Sequence, residues 1–356
     1  MAKLGNLGTL SLVAYNLGLR LAKAAWGLAR RNGGGGSGHA HELNVINDLV
    51  ASVCEQKGIE VRPLPGGFLE LCNGDKKSIS FGSDFEFESI IAWRICGDKV
   101  LTSMLLEEHG LPVADYASFS IFDYDKALEA FKEMNKPIVV KPRTSTCHGQ
   151  GVTTGIYTVR DFRRAFASAA SFRKDVMVEE FIPGINYRFM VLNGVILSAF
   201  KRSPMHVVGD GKGSLKELIE TDFRYHIGKP RPPMKSIVDD DCRQHLKNTN
   251  KTLSYIPAKD EIFYLKEVCN GGPVEDVTDI LHDDFRRMAV RAAEVLKVKL
   301  CTVDFICGEI TEPSANARTV INEVNTSPGL GTTGEPEGAL RPNERVTEAV
   351  VEQLFH

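Results

Sequence analysis

The stretch from Ile321 to Gly329 reads INEVNTSPG, and its meaning depends on a second stretch, CTVDFI, from Cys301 to Ile306. Both begin as short apolar runs rich in β-branched and aromatic residues, the pattern of buried strands. Each carries an acid inside the run, Asp304 in one and Glu323 in the other. A carboxylate in an apolar strand is costly unless it has a partner, so both acids need one. Glu323 and Asn325 stand two apart on a strand and share a face. Two carboxylates and an amide oxygen make a hard, all-oxygen donor set. Such a set suits Mg²⁺, which keeps waters and substrate phosphates among its ligands. A structural salt bridge, or a capped turn before Pro328, is the competing reading, and three oxygens at two buried strand ends make it the weaker one.

Working outward, Ile138-Val-Val-Lys141-Pro142 reads as a buried strand ending in a lysine, followed by the polar loop Arg143 to Gly151. Glycine-bearing loops offer backbone N–H donors and lysines supply compact charge, a combination that suits phosphate. No GKS or GKT follows, so this is not a Walker A loop. A surface lysine before a turn explains Lys141 about as well when it is taken alone. Glu179-Glu180-Phe181-Ile182 closes another strand, and its backbone can face a nucleobase; a plain strand and turn is the bland reading. Lys201-Arg202 precedes Val207-Val208-Gly209-Asp210-Gly211, and cations there can clamp a phosphoryl group. A solvated charge pair is the alternative.

The surrounding pattern is mixed. Helices are expected over Leu43 to Gln56, Asp98 to Glu108, Val159 to Phe172, Asp283 to Val298 and Asn343 to Leu354. Strands are expected over 59–62, 68–72, 78–81, 152–157, 176–181, 262–267, 300–306 and 319–324. Asn193-Gly194 between 187–192 and 195–200 predicts a hairpin, because Asn-Gly fits the type I′ turn. The polar, Pro-containing stretch from Asp222 to Lys259 reads as a long excursion. Strands and helices alternate without a dinucleotide-binding glycine fingerprint, which points to a multi-domain α/β or α+β enzyme.

Composition bounds the class. The 356 residues carry 43 Lys and Arg against 46 Asp and Glu, a formal net charge of −3, too balanced for a dedicated nucleic-acid binder. The eight Cys form no Cys-x-x-Cys pair, so buried free thiols in a reducing, cytoplasmic setting are expected. Residues 1–31 differ from the rest: Lys3, Arg20, Lys23, Arg30 and Arg31 are there with no acid, on an amphipathic pattern followed by a Gly-rich linker. Several readings stay open for this segment: contact with a membrane surface or a protein partner, removable targeting, docking on its own core or on a sister subunit, or a tag-derived scar.

Eight motifs in register carry a family resemblance. They are VVKP (139–142), HGQGV (148–152), VEEFIPGINYRFMV (178–191), VVGDG (207–211), NGG (270–272), DVTD (276–279), VDFI (303–306) and INEVNTSPG (321–329). Together they resemble the ATP-grasp carboxylate–amine ligases, in particular the ATP-grasp part of cyanophycin synthetase and of bifunctional glutathione synthetases. The resemblance runs from about Asp98 to the C-terminus. It implies an α+β fold of two subdomains gripping ATP, preceded by a small α/β domain. The expected division is 1–38 for the basic segment and linker, 39–98 for the N-terminal domain, 99–180 for the central subdomain, and 181–356 for the C-terminal subdomain with the metal site.

The resemblance also implies roles. Lys99 and Lys141 contact the ATP phosphates. His148, Gly149 and Gly151 cover the triphosphate as a mobile loop. Glu179, Glu180 and Ile182 line the adenine slot, largely through the backbone. Asn186 stands where such enzymes often hold an acid that bonds the ribose. Arg202 stabilises the transferred phosphoryl group, and Asp304, Glu323 and Asn325 hold two Mg²⁺, with Mn²⁺ as a substitute. The implied reaction joins a small amino acid or peptide carboxylate to an amine with release of ADP, or modifies a larger peptide or carrier protein; a silent ATP-binding module is the non-enzymatic alternative. Self-association is implied by the family alone. The second domain of full cyanophycin synthetase and the glutamate–cysteine ligase domain of full bifunctional glutathione synthetase have no counterpart here, so substrates of its own are expected. Specificity is expected in His41 to Arg94, in Asp222 to Lys259 and in Gly329 to Gly338, with Arg188, Arg224 and Lys235 as candidate carboxylate binders.

Overall fold

A computed structural model describes residues 9, 11–14, 16–18, 37–144, 149–221, 237–269, 272–330 and 344–356. In chain order the main elements begin with α1 (Ser37–Gln56), β1 (Glu60–Leu64), β2 (Phe68–Asn73), β3 (Lys76–Phe81) and β4 (Asp84–Phe85). Next come α2 (Ile90–Cys96), α3 (Lys99–Glu108), β5 (Tyr116–Ser120), α4 (Tyr124–Glu133), β6 (Ile138–Pro142), β7 (Thr153–Ile156), α5 (Val159–Phe172) and β8 (Asp175–Glu180). The remainder holds β9 (Ile185–Leu192), β10 (Val195–Arg202), β11 (His206–Val208), α6 (Leu215–Thr221), α7 (Asp240–Asn248), β12 (Ile262–Tyr264), β13 (Val274–Asp276), α8 (Asp283–Leu296), β14 (Leu300–Cys307), β15 (Val320–Thr326) and α9 (Glu344–Phe355).

Two sheets position the site. The larger runs β13-β10-β9-β14-β15 and the smaller β5-β8-β6-β7, all neighbours antiparallel. Strand alternation divides the larger sheet. Tyr187, Phe189, Val191, Val303 and Phe305 form one apolar core under α8, which contributes Phe285, Ala289, Ala292 and Leu296. The other face carries Arg188 and Arg202 toward one end. At the other end Met190, Leu192 and Leu300 share a core with α1, α9 and the β1–β4 meander. The N-terminal unit is thus built onto the larger sheet. Helix α3 likewise places Leu106 in the α8 core, so packing joins 99–108 to the larger sheet rather than to the 116–180 layer.

The smaller sheet is covered by α4 and α5 through Tyr124, Ala127, Phe131, Phe162 and Phe166. Helix α5 begins where its cap demands: the Thr158 hydroxyl accepts from the Asp161 N–H and donates to the Asp161 carboxylate. Leu12, 1% exposed, enters this same core. Around it the Asn16 amide donates to the Ala167 carbonyl at 2.9 Å and the Thr9 hydroxyl donates to Asp125 at 2.8 Å. The described part of the N-terminal segment therefore docks on its own chain. Its five cations and the Gly-rich linker to Gly36 lie outside the described residues.

The stretch from Asp222 to Lys259 departs from the expected excursion. Residues 222–236, with Arg224 and Lys235, lie outside the described residues, but 240–248 is helix α7, capped by the Asp239 carboxylate on the Cys242 N–H. Its buried face is partly polar, which hides it from a hydrophobicity pattern. Asp241, 1% exposed, accepts from the Thr154 N–H and hydroxyl and from the N–H groups of Glu267 and Val268. The expected strand over 262–267 shortens to β12. No helix among the described residues is long and apolar enough to cross a membrane.

Phe305 is fully buried, with its ring 5.0 Å from Phe189 and 5.9 Å from Phe285 between centroids. Phe305→Ala is expected to cost about 3–5 kcal/mol through lost burial and the cavity left behind. Phe122→Ala, at a side chain 66% exposed, is expected to stay within about 0.5 kcal/mol. Urea unfolding of both variants checks the contrast.

Candidate active site

Register brings the acids together. Asp304 on β14 lies opposite Glu323 on β15 and opposite Arg188 on β9. Directly opposed residues share a sheet face, so the three form one row. Arg202 on β10 lies opposite Asn186, two residues from Arg188, and therefore joins the same face. Asn325, opposite Thr302, stands on this face as well.

Asp304 is 6% exposed and is held twice. Arg188 donates Nε to Oδ1 at 2.7 Å and Nη2 to Oδ2 at 2.6 Å, a bidentate fork, and Arg202 Nη1 donates to Oδ2 at 3.3 Å. Burial works against the Arg188 charge, but Asp304 outweighs it and holds the guanidinium above its ordinary value. For Arg202, burial and the adjacent Arg188 charge together push downward. Lys99 Nζ lies 3.1 Å from Glu323 Oε1. Burial pushes the Glu323 carboxyl up; Lys99 and Lys141 pull it down harder, to about 2. Lys141 in turn pairs with Glu179 at 2.7 Å, both side chains less than a tenth exposed.

Lys141 and Glu179 belong to the smaller sheet, Arg188, Arg202, Asp304 and Glu323 to the larger, and Lys99 starts α3 between them. Lys99 pairs with Glu323 of the larger sheet and its N–H donates to the carbonyl of Arg143, just after β6 of the smaller one, so the cluster lies where the two sheets meet. Four cations (Lys99, Lys141, Arg188 and Arg202) meet three carboxylates (Glu179, Asp304 and Glu323). The surplus is positive and suits a polyanion. The donor chemistry also fits a hard divalent cation. Glu323 is ionised, Asp304 and Asn325 add oxygens on the same face, and no group of three His, Cys, Asp or Glu gathers among the described residues. A cation bound by two carboxylates and an amide would have to take further oxygens from its anion and from water.

The segment joining the sheets is tightly held. The Glu180 N–H donates to the Asp115 carbonyl at 2.9 Å and the Phe181 N–H to the Pro137 carbonyl at 3.2 Å, while Ile182 is 4% exposed. At Gly184 a Cβ would come within 2.7 Å of the Cys307 carbonyl oxygen, so only glycine lets the chain pass β14 this closely. The Glu180 side chain makes a two-pronged ion pair with Arg318, in the loop before β15. In the glycine loop, Gly151 has φ 78° and a Cβ there would meet the Phe172 ring at 2.7 Å. Gly149, also at positive φ, accepts from the Val152 N–H. His148, Asn270 and Gly271 lie outside the described residues.

Of the residues singled out from sequence, Lys99, Lys141, Glu179, Arg202, Asp304 and Glu323 are brought into this cluster. Asn186 and Asn325 share its face, and Glu180 turns its side chain to Arg318 instead. Arg188, a candidate substrate binder, is engaged with Asp304. Arg318 escaped the sequence reading, since a lone arginine in a polar loop carries no pattern.

An acid with a lowered folded-state pKa stabilises the fold above its unfolded pKa and loses that contribution as pH falls through the folded value. For Glu323 the window runs from its ordinary 4.5 down to about 2. The stability difference between wild type and Glu323→Gln is expected to stay constant above about pH 5.5 and to shrink below it, by a total of up to ~3 kcal/mol. Urea unfolding of both proteins from pH 7 to pH 3 checks this; a flat difference contradicts it.

No family model matches the chain. It is 32% identical over 303 residues to the glutathione biosynthesis bifunctional protein GshAB of Listeria innocua, covering 82% of this chain and 39% of that protein. It is 31% identical over 278 residues to cyanophycin synthetase of Crocosphaera subtropica, covering 76% of this chain and 31% of that protein. Among solved structures, a bifunctional glutathione synthetase from Pasteurella multocida aligns with a TM-score of 0.56 at 27% identity, covering 87% of this chain and 43% of that one. The chain thus spans less than half the length of these relatives. Similarity along most of its residues, joined to the facing sheets and the acid row between them, places this chain in the ATP-grasp superfamily of carboxylate–amine ligases.

Proposed function

We propose that the protein is an ADP-forming, ATP-dependent ligase that joins the carboxylate of an amino acid or small peptide to an amine through an acyl phosphate. The observation that carries this reading is the row Arg188–Asp304–Glu323, flanked by Arg202 and faced by Lys99 and Lys141. It combines carboxylate oxygen donors with a surplus of cations at one place between two sheets, the arrangement phosphoryl transfer needs.

The chain's own residues account for most of the work. Lys99 and Lys141 supply compact charge for the phosphates of ATP. Arg202, already beside Asp304, offers N–H donors to the phosphoryl group in transit. Arg188 holds Asp304 in one orientation, so the carboxylate is preorganised. Asp304, Glu323 and Asn325 would hold Mg²⁺. When bound, the metal neutralises charge on the phosphate oxygens.

In the first step a substrate carboxylate oxygen attacks the γ-phosphorus, the bond to the β-phosphate oxygen breaks, and ADP leaves. In the second the amine nitrogen attacks the acyl carbon, the carbon–oxygen bond to phosphate breaks, inorganic phosphate leaves and the nitrogen loses a proton. Water competes with the amine for the acyl phosphate, and the segment around Gly149 and Gly151 is suited to cover it. Family relatives named for glutathione and cyanophycin synthesis support an amino acid or peptide as substrate. The seven free thiols among the described residues favour a reducing, cytoplasmic setting.

ADP release from purified protein with Mg-ATP and pooled amino acids tests the proposal. Turnover with one amino acid or pair is expected, falling by on the order of 10²–10³-fold in Asp304→Ala and Glu323→Ala. Nucleotide binding without turnover on any pool points to a peptide or carrier-protein substrate instead. Absence of Mg-ATP binding removes the ligase reading.

A further inference from the structure

Lys99 and Lys141 reach the site from different bodies. Lys99 opens α3, whose apolar face belongs to the core of the larger sheet, and Lys141 ends β6 of the smaller one. The next elements of chain around each lysine are stitched together. Arg143 Nε donates to both Asp98 carboxylate oxygens, at 2.9 and 3.0 Å, and its Nη2 donates to Oδ2 at 2.8 Å. The Lys99 N–H donates to the Arg143 carbonyl at 3.1 Å, and Asp98 and Thr144 form an isolated antiparallel bridge. The Arg143 N–H donates to the Asp175 carbonyl at the start of β8, which anchors the junction to the smaller sheet.

Asp98 serves two purposes in this junction. Its Oδ1 also accepts from the Val100 and Leu101 N–H groups at 3.1 and 3.2 Å, capping α3. One carboxylate therefore sets both where α3 begins and where β6 ends relative to it. Burial pushes this carboxyl up, yet the Arg143 hydrogen bonds and charge together with the Leu101 and Val100 N–H groups hold it below its ordinary value. The fork is thus ionic on both sides, and a planar guanidinium fixes direction as well as distance. Lys99 is one residue from Asp98, and Lys141 is two from Arg143. Lys99 pairs with Glu323 of the larger sheet and Lys141 with Glu179 of the smaller, so each lysine is held by a carboxylate beside the junction.

We propose that the Asp98–Arg143 pair is a positioning device that sets the separation of Lys99 and Lys141 to match the phosphates of one bound nucleotide. The proposal rests on the ligase reading for its nucleotide and assigns Asp98 and Arg143 no contact with it. Without the clasp the two lysines remain, each on its own body, but no longer at a fixed spacing.

The test compares full-length wild type with Asp98→Asn, Arg143→Ala, the double variant and Arg143→Lys. Asparagine keeps a capping oxygen for α3 while removing the charge, so one variant keeps the helix start if the other fails to fold. Affinity for a non-hydrolysable ATP analogue with Mg²⁺ is measured by calorimetry, and KM for ATP and kcat are measured alongside. Each single substitution is expected to weaken binding by on the order of tenfold. The double variant should be no weaker than the worse single, because both act through one pair, and Arg143→Lys should recover part of the loss. Unchanged affinity in the singles, or losses that multiply to about a hundredfold in the double, overturns the proposal. A wild type that binds the analogue but forms no amide with any amino acid overturns the amino-acid substrate alone and leaves the clasp to be judged by affinity. A wild type that does not bind it overturns both.

Discussion

A carboxylate buried in a strand of large apolar residues has to be answered by charge, and in this protein the answer to Asp304 organises the larger sheet. Arg188 meets it directly across β9 and β14. Side chains alternate between faces, so a one-residue slip would drive Asp304 into the core of Phe189, Phe285 and Phe305. Left without its counter-charge, the buried Asp304 carboxylate would be costly, so the pairing disfavours that slip. With the register of β9 and β14 set, Glu323 falls opposite Asp304 and Arg202 arrives beside it. The site is a consequence of the same constraint that aligns the strands.

The two faces of that sheet divide the remaining work. One is apolar over most of its area and is covered by α8, α3 and α2, with the Lys201–Glu275 pair at its β13 edge. The other is apolar only where α1, α9 and the N-terminal meander cover it, and is charged where it turns toward the smaller sheet. Stability and chemistry are therefore separated along the strands rather than between them. The smaller sheet is organised in the same way. Its α4 and α5 side is aromatic, while Lys141 and Glu179 stand buried as a pair where charge is needed.

Ion pairs at the two ends of the junction hold these bodies in relation. Asp98–Arg143 joins α3 to β6, and Glu180–Arg318 joins β8 to the loop before β15. Between them Glu323 feels lysines from both bodies, and its ionised state depends on that arrangement. Further back, the buried Asp241 ties β7 to the segment at Glu267 and Val268. The strand after the glycine loop is thereby held by α7, an element the sequence reading passes over.

Local chemistry decided what the sequence could determine alone. Thr158 and Asp161 start α5 by capping, and Asn193 and Gly194 adopt the positive φ of a tight hairpin, 46° and 77°. Asp304 and Glu323 stand out because an acid in an apolar run is anomalous wherever it occurs. Elements whose signal is mixed stayed hidden. Helix α2 leaves Ile90, Ile91 and Trp93 exposed, so its periodicity is blurred, and α7 buries Asp241 and Gln244. Helix α4 is different: Tyr124, Ala127 and Phe131 stand at helical spacing, yet no helix is expected there from sequence, so the signal was present and went unread. The partners of the charged residues are another matter. That Arg188 answers Asp304, Arg318 answers Glu180 and Arg143 answers Asp98 follows from strand register and from the packing of separate bodies. These contacts join residues 116, 138 and 45 positions apart. A sequence carries the need for a counter-charge at each site; only the folded chain brings the particular one within reach.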